Sequence, residues 1–423
     1  MCESVNIDDL AKKVGTPFYL YSTNTFVGHY NRIAEAFSEL KPIVCYSIKG
    51  CGNLNILKKL VSLGSGMDVV SGGELFRAQQ AGVDCKKVVY AGVGKTDREI
   101  REALKAGIGW FNIESEAEFE NIAAIAKELN CKARGALRVN PDVADPKTHV
   151  KTRTGNKGTK FGVDVDRAKQ FFETYSRNEY LELSAVHIHI GSPIYSPTPY
   201  VGAIEVILGL VNELKNRGIT IKTIDIGGGF AADYETGASP SYKEYAAAIV
   251  PLLKSFVQSG GQIIIEPGRT ISGNSGVLIS KVLYIKKGGD KNFVIVDTGM
   301  HQLIRPTLYE AKHFIWPTRV SSEHQPKERK MSMEMPGLVA SDVVGPICES
   351  ADYLAKDRAI PPVKRGDLLC VFTAGAYGMV MASQYNAMPR PPEVLVEGDK
   401  AFVIRDRESY EDLIEHEKQI SPV

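Results

Sequence analysis

The sequence predicts an α/β protein in two parts: a (β/α)8 TIM-type barrel and a second, mostly β domain. Three observations predict it. Between residue 24 and about residue 270, eight short β-rich apolar runs alternate with longer stretches of helical periodicity. After residue 270 the alternation stops, and strands follow one another across turns such as KKGGDK. Ahead of the barrel, Pro17–Ser22 (PFYLYS) reads as one further strand.

The eight candidate barrel strands are Ile43–Ile48, Met67–Val70, Lys87–Ala91, Trp110–Ile113, Arg134–Val139, Ser184–Ile190, Lys222–Ile226 and Gln262–Glu266. Helices such as Leu54–Leu63 and Glu116–Leu129 lie between them, with Thr96 and Ser115 placed as N-caps. Eight such repeats fit a closed barrel. A doubly wound open sheet carries the same alternation, because counting strands does not show closure. In the second half, Gly276–Lys286, Asn292–Thr298, Asp367–Thr373, Glu393–Val396 and Ala401–Arg405 read as strands, and only Ser409–Lys418 reads as a helix. Pro17–Ser22 is placed to pair with this half. The expected domains are therefore 24–270, and 1–23 plus 271–423. The polar, aperiodic stretch Ser321–Met335 reads as a solvated loop.

Composition narrows the class. Hydrophobic residues make up 43% and charged residues 24% of the chain, ordinary values for a globular protein. A net charge of +1 gives no electrostatic case for nucleic acid or for an anionic membrane surface. The seven cysteines (Cys2, Cys45, Cys51, Cys85, Cys131, Cys348 and Cys370) are odd in number and form no CxxC pair. That speaks against a disulfide framework or a zinc site, and for a reducing compartment. The start, MCESVNIDDLAKKVG, has no apolar signal core, and no run approaches the roughly 20 apolar residues of a membrane span. The expected location is the cytoplasm.

In a β/α barrel the chemistry lies at the C-terminal ends of the strands. Those ends read Lys49, Asp68, Gly92, Glu114, Arg138 with Asn140, His187 and His189, Gly227–Gly229, and Glu266 with Arg269. A lysine partly desolvated at a barrel mouth becomes nucleophilic, which suits Lys49 to an imine with a carbonyl cofactor. Taken alone, a strand-end lysine more often snorkels to solvent. The segment KTIDIGGGF runs from a strand into three glycines, whose N–H groups can approach a phosphate. GGG lacks the spacing of a dinucleotide fingerprint or a P-loop, so it suggests one phosphate or merely a tight turn. His187 and His189 alternate on SAVHIHIGS and so face the barrel interior. With Glu266 and Asp225 they can bind a metal; His189 can instead stack on a cofactor ring, and His187 reads best as a satisfied core histidine. Ser192 is suited to a phosphate oxygen. Glu266 either keeps a pyridine nitrogen protonated or pairs structurally with Arg269.

The chain resembles the fold-type III pyridoxal-phosphate-dependent decarboxylases. YSIKG resembles that family's Schiff-base lysine motif, and HIHIGS, IDIGGGF and EPGR follow in the family's order. LIRPTLY, GPICESADYLAKDR and AGAYGMVMASQYN extend the likeness from about residue 15 to about residue 405. CESAD followed by LAKDR particularly resembles the branch that acts on diaminopimelate.

The resemblance implies pyridoxal 5'-phosphate held as an imine by Lys49, with His189 stacked on its ring and Glu266 at its ring nitrogen. Ser192, Gly228 and the backbone around Gly268 would hold the phosphate region with Arg269 and Tyr377, which also serve the substrate. Arg269, Arg305 and Tyr309 would grip the substrate's distal carboxylate and Glu349 its distal ammonium, while Cys348 would reprotonate the carbanion. Cys348 and Glu349 would reach into a partner subunit, making a homodimer with shared sites. The implied reaction converts meso-2,6-diaminopimelate to L-lysine and CO2, the last step of lysine biosynthesis. Charge supports the substrate class: arginine holds a carboxylate bidentately, and buried arginines facing a diamine would be unpaired and repelled. The alternatives are a sister decarboxylase of carboxynorspermidine, ornithine or arginine, and a non-catalytic regulatory protein that kept the fold. Two features depart from the family pattern: His301–Gln302, where Asn-Asp is common, and the length of Ser321–Met335. Lys147–Gly162 resembles the family's mobile active-site loop, and its glycines and lysines make a poor helix, as a lid requires.

Overall fold

Runs of β-branched and aromatic residues bounded by turns become strands. The computed structural model describes residues 1–155, 158–234 and 239–419. Its first ten strands are β1 (Phe18–Ser22), β2 (Ile43–Ser47), β3 (Gly66–Val69), β4 (Val88–Tyr90), β5 (Trp110–Ile113), β6 (Ala133–Asn140), β7 (Val163–Asp164), β8 (Leu181–His187), β9 (Thr223–Asp225) and β10 (Gln262–Ile265). Strands β2, β3, β4, β5, β6, β8, β9 and β10 pair in parallel in that order. Ile264 and Ile265 then pair back onto Ile43 and Val44. That last pairing closes the barrel and removes the open-sheet alternative; β7 lies outside the ring, against β6.

A strand's side chains alternate between faces, and that alternation builds the barrel interior in layers. Cys45, Val89, Trp110, Ala136, Ala185 and Ile264 form one apolar cluster. Two residues further along several of the same strands come Ser47, Asn112, Arg138, His187 and Glu266, all buried. The apolar layer is thus a floor beneath a polar one. The outer helices are capped as their sequences require: Thr96 and Glu99 form a reciprocal capping box, and Ser115 accepts the N–H of Glu118.

The chain divides into two compact units, His29–Ala231 with Ser239–Thr270, and Met1–Gly28 with Ala232–Ala238 and Ile271–Val423. The second unit is built on β11 (Gly276–Gly288), β12 (Lys291–Val296), β13 (Ile315–Pro317), β14 (Val339–Val344), β15 (Tyr353–Ile360), β16 (Leu368–Val371), β17 (Glu393–Glu397) and β18 (Lys400–Arg405). Its sheet runs β15-β14-β12-β11-β1-β17-β18, with β16 pairing β11 and β13. Strand β1 lies antiparallel to β11 and parallel to β17, so the start and end of the chain share one sheet. Phe18, Leu20, Ile279, Val394 and Val396 bury one face of it.

Several sequence-based expectations are corrected. β8 ends at His187, short of Ile190, because the chain turns through Gly191 at φ 129°; His189 is therefore not a strand residue. Strands β13, β14 and β15 were not expected. Charged residues and register shifts between β14 and β15 break their alternation, with Asp357 at φ 47°. The terminal stretch forms only the short helix Tyr410–Leu413 and a 3-10 turn at Glu415–Glu417. Tyr410 and Ile414 stay exposed there, and a short helix without packing is not sustained. A second short helix, Arg305–Tyr309, lies in LIRPTLY. Ser321–Met335 is anchored rather than fully solvated: Trp316 Nε1 donates to the carbonyl of His324, Arg329 stacks on Phe372, and Met331 is buried.

Candidate active site

The mouth of the barrel is set by a lysine and a group of carboxylates. Lys49, just beyond β2, forms an ion pair with Asp68 on β3, whose side chain is fully buried while that of Lys49 is 33% exposed. Burial and the charge of Glu266 push Asp68 up from the usual carboxylate range, and Lys49 opposes them. Glu266 follows β10 and is met at both oxygens, one by a hydrogen bond and one by an ion-pair contact. Asn112 Nδ2 donates to Oε1 at 3.1 Å, and His187 Nε2 lies 3.4 Å from Oε2. Burial alone would raise the pKa of Glu266, yet His187 and Lys49 hold it well below the usual range, so it stays ionised. Asp225 goes the other way: burial and the Glu266 charge push it far up, and it keeps its proton. His187, Asp225 and Glu266 bring their ligand atoms within 4.8 Å of one another, which is the donor set of the metal reading. His187 is buried as expected of a core histidine, but it is not satisfied: neither of its ring nitrogens has a hydrogen-bond partner among the described residues.

The glycine turn after β9 closes the other side of the mouth. A Cβ on Gly228 would lie 2.1 Å from the carbonyl of Glu266, and one on Gly227 2.3 Å from that of Ile188. Only glycine permits this approach. Gly228 N–H donates to His189 Nδ1 at 3.3 Å. Burial, with the charges of Arg138 and Lys49, holds His189 well below the usual histidine range, so its ring is neutral. Ser192 accepts from Arg269 Nε at 3.1 Å, and Gly268 packs on Ser47, 2.8 Å from a Cβ placed on it. The stretch Lys147–Gly162 is tied down at both ends where it is described. Thr148 donates to the carbonyl of Pro193, Thr154 to that of His189, and Gly162 N–H to Glu114; residues 156 and 157 lie outside the described residues.

The β unit carries the remaining expected residues in two places. Arg305 is buried, with its guanidinium 5.0 Å from the ring centre of Tyr234 and 5.7 Å from that of Tyr309. Its Nε donates to His313 Nε2 at 3.4 Å, and His313 Nδ1 lies 2.9 Å from the carbonyl of Phe372. That carbonyl fixes the tautomer that leaves Nε2 accepting. Cys348 and Glu349 are exposed, on the loop before β15. The S–H and N–H of Cys348 both donate to Asn386 Oδ1, at 3.3 and 3.2 Å, and Tyr385 donates to Glu349. Tyr377 sits at φ 55°, a backbone conformation that side chains rarely adopt.

Sequence reasoning gave no part to Asn112, Tyr234, His313, Tyr385 or Asn386, which hold the expected residues. Asn112 had a signal, as the one polar residue of the apolar strand WFNI. Tyr385 and Asn386 had another, inside AGAYGMVMASQYN. Tyr234 and His313 had none, since only the fold brings them to Arg305.

The barrel mouth fits pyridoxal phosphate. It offers an amine for an aldehyde, an ionised buried carboxylate for a ring nitrogen and a glycine turn for one phosphate. Asp68 Oδ1 and Asn112 Oδ1 also lack hydrogen-bond partners among the described residues. The class so defined is the pyridoxal-dependent decarboxylases, and the model of that family's pyridoxal binding domain matches residues 23–273. The diaminopimelate decarboxylase of Aquifex aeolicus is 44% identical over 98% of this chain and 94% of its own. The crystal structure of the Helicobacter pylori enzyme complexed with L-lysine superposes with a TM-score of 0.90 at 40% identity, over 98% of this chain and 99% of that one. The crystal structure of diaminopimelate decarboxylase from m. jannaschii in co-complex with L-lysine gives a TM-score of 0.89 at 38% identity, over 99% of this chain and 95% of that one. The chain belongs to the diaminopimelate decarboxylase family.

Proposed function

We propose that this protein decarboxylates meso-2,6-diaminopimelate to L-lysine and CO2, the last step of lysine biosynthesis, as a cytoplasmic homodimer whose two sites are shared between subunits. The observation that carries the reading is Lys49 at the same barrel mouth as Glu266, a buried carboxylate that its neighbours keep ionised. Pyridoxal phosphate, when bound, supplies the electron sink into which the bond to the departing carboxylate breaks.

The chain's own residues do the rest. Lys49 anchors the cofactor through its amine, Glu266 holds the ring nitrogen protonated, and the neutral ring of His189 stacks on the cofactor. Ser192, Gly228, Gly268, Arg269 and Tyr377 hold the phosphate region. The β unit supplies substrate and dimer contacts. Arg305, fixed between aromatic rings, grips the distal carboxylate with Arg269, Tyr309 and Tyr377, and Glu349 takes the distal ammonium. Holding the far head of the substrate orients the scissile bond at the near one, so that distant binding contacts speed the reaction. Cys348 Sγ gives its proton to Cα after CO2 leaves. Cys348 and Glu349 are exposed in the single chain, which supports their use in a partner's site.

The test is CO2 release from meso-diaminopimelate against ornithine, arginine and carboxynorspermidine, with lysine identified as product. Turnover confined to the diamino diacid is the expected outcome. Preference for any of the other three would replace the substrate, and no turnover by cofactor-loaded protein would favour a regulatory role.

A further inference from the structure

We propose that His187 is a positioning residue for Glu266, one arm of a buried cradle that fixes the carboxylate facing the cofactor ring. The inference rests on the reading of Glu266 given above and extends it to a histidine that the sequence marks only as core. Glu266 is held from several sides at once. Asn112 Nδ2 takes Oε1 at 3.1 Å, and His187 Nε2 faces Oε2 at 3.4 Å. The Glu266 N–H donates to the carbonyl of Gly227 at 2.9 Å, and its own carbonyl accepts from the hydroxyl of Ser47 at 3.0 Å. A carboxylate held on one oxygen turns about its last bond; one held on both presents a fixed plane to its target.

The charges make His187 the natural second arm. Three carboxylates, Asp68, Asp225 and Glu266, are buried in one barrel interior, where an uncompensated charge is costly. The amine of Lys49 is directed to Asp68. Asp225 lies within 4.8 Å of both His187 and Glu266 and gives them a neutral, polar backing. Neither ring nitrogen of His187 makes a hydrogen bond among the described residues, and of the two it is Nε2 that faces Glu266 Oε2, at the 3.4 Å of an ion-pair contact. The imidazole is 1% exposed and closed in on β8, so its contact with Glu266 does not depend on a mobile element.

The test uses the full chain with His187→Leu and His187→Gln. Three quantities are read: the dissociation constant of pyridoxal phosphate, the visible band of the bound cofactor, and kcat and KM for meso-diaminopimelate separately. His187→Leu should weaken cofactor binding and lower kcat by roughly 10–100-fold and shift the band, with KM nearly unchanged. His187→Gln, which keeps a donor, should recover most of the loss. Leu and Gln variants that both match the native protein would overturn the proposal, and so would stoichiometric zinc retained by His187, Asp225 and Glu266. Should His187→Leu not fold, Asn112→Ala removes the other arm, and an unchanged band and kcat there are equally contrary. Glu266→Gln separates the two claims. An unchanged band in that variant defeats the reading of Glu266, whereas a changed band beside an indifferent His187→Leu defeats only the role of His187.

Discussion

The barrel mouth and the loop carrying Cys348 and Glu349 are finished to different degrees. Asp68, His187, Asp225 and Glu266 are all buried, and their partners come from the barrel itself. Cys348 and Glu349 lie exposed, held from their own unit by Asn386 and Tyr385. The first set is preorganised: its charges are paired before any ligand arrives, so little need move during reaction. The second is oriented but uncovered, as the proposed sharing of sites between two copies of the chain requires. Within one chain, then, one set of groups is enclosed by its own unit and the other is left open to solvent.

This contrast is most severely tested by deleting one residue from each set. Lys49→Ala should lower turnover by at least about 10^4-fold, and Cys348→Ala by roughly 10^2–10^4-fold, measured as CO2 release. Only the first should remove the cofactor's visible band. Mixed and reassorted, the two dead variants should regain activity. Half of the dimers would be mixed, each with one intact site of two, so about a quarter of native turnover should return. No recovery on mixing would place Cys348 in its own subunit's site or outside any site.

Arg305→Leu comes next. It should weaken substrate binding by about 2–5 kcal/mol, read as a raised KM for meso-diaminopimelate with the cofactor band unchanged. Arg305→Lys should rescue little, because an ammonium reproduces neither the fork nor the stacking on Tyr234. A native KM in both variants would remove Arg305 from the substrate's distal head.

The smallest effect lies outside both sets. The backbone N–H groups of Gly72 and Thr96 on Glu99 lower its pKa from 4.5 to about 2. The folded value lies below the unfolded one, so the stability it adds is full above about pH 4.5 and is lost as pH falls toward 2. Glu99→Gln should cost about 1 kcal/mol near neutrality, less at acid pH, with turnover untouched. A pH-independent loss measured by denaturant unfolding would show the cap to act through shape rather than charge.

The barrel was legible because its repeats are local. Apolar strand runs, helix caps such as Thr96 and turn glycines each announce themselves within a few residues, and period-2 alternation marked His187 for the barrel interior. Lys49 and Glu266 could be picked out as candidates because strand ends have a fixed place in a barrel. The β unit was harder to read. In Tyr353–Ile360 the charges of Lys356 and Asp357 obscure the alternation that a strand shows. The cage of Arg305 joins it to His313, eight residues on, and to Tyr234, distant in sequence, and no spacing rule reports such a meeting. His187 shows the same limit at short range: its place on the strand was plain, its contact with a carboxylate two strands further along the chain was not.

The most direct single measurement is borohydride reduction of the cofactor-loaded chain followed by peptide mapping. The expected result is one pyridoxyl label, on Lys49, with loss of the visible band and no label in Lys49→Ala. A label on another lysine, or none on protein that has bound the cofactor, would contradict the assignment of Lys49 and with it the mechanism built on the barrel mouth.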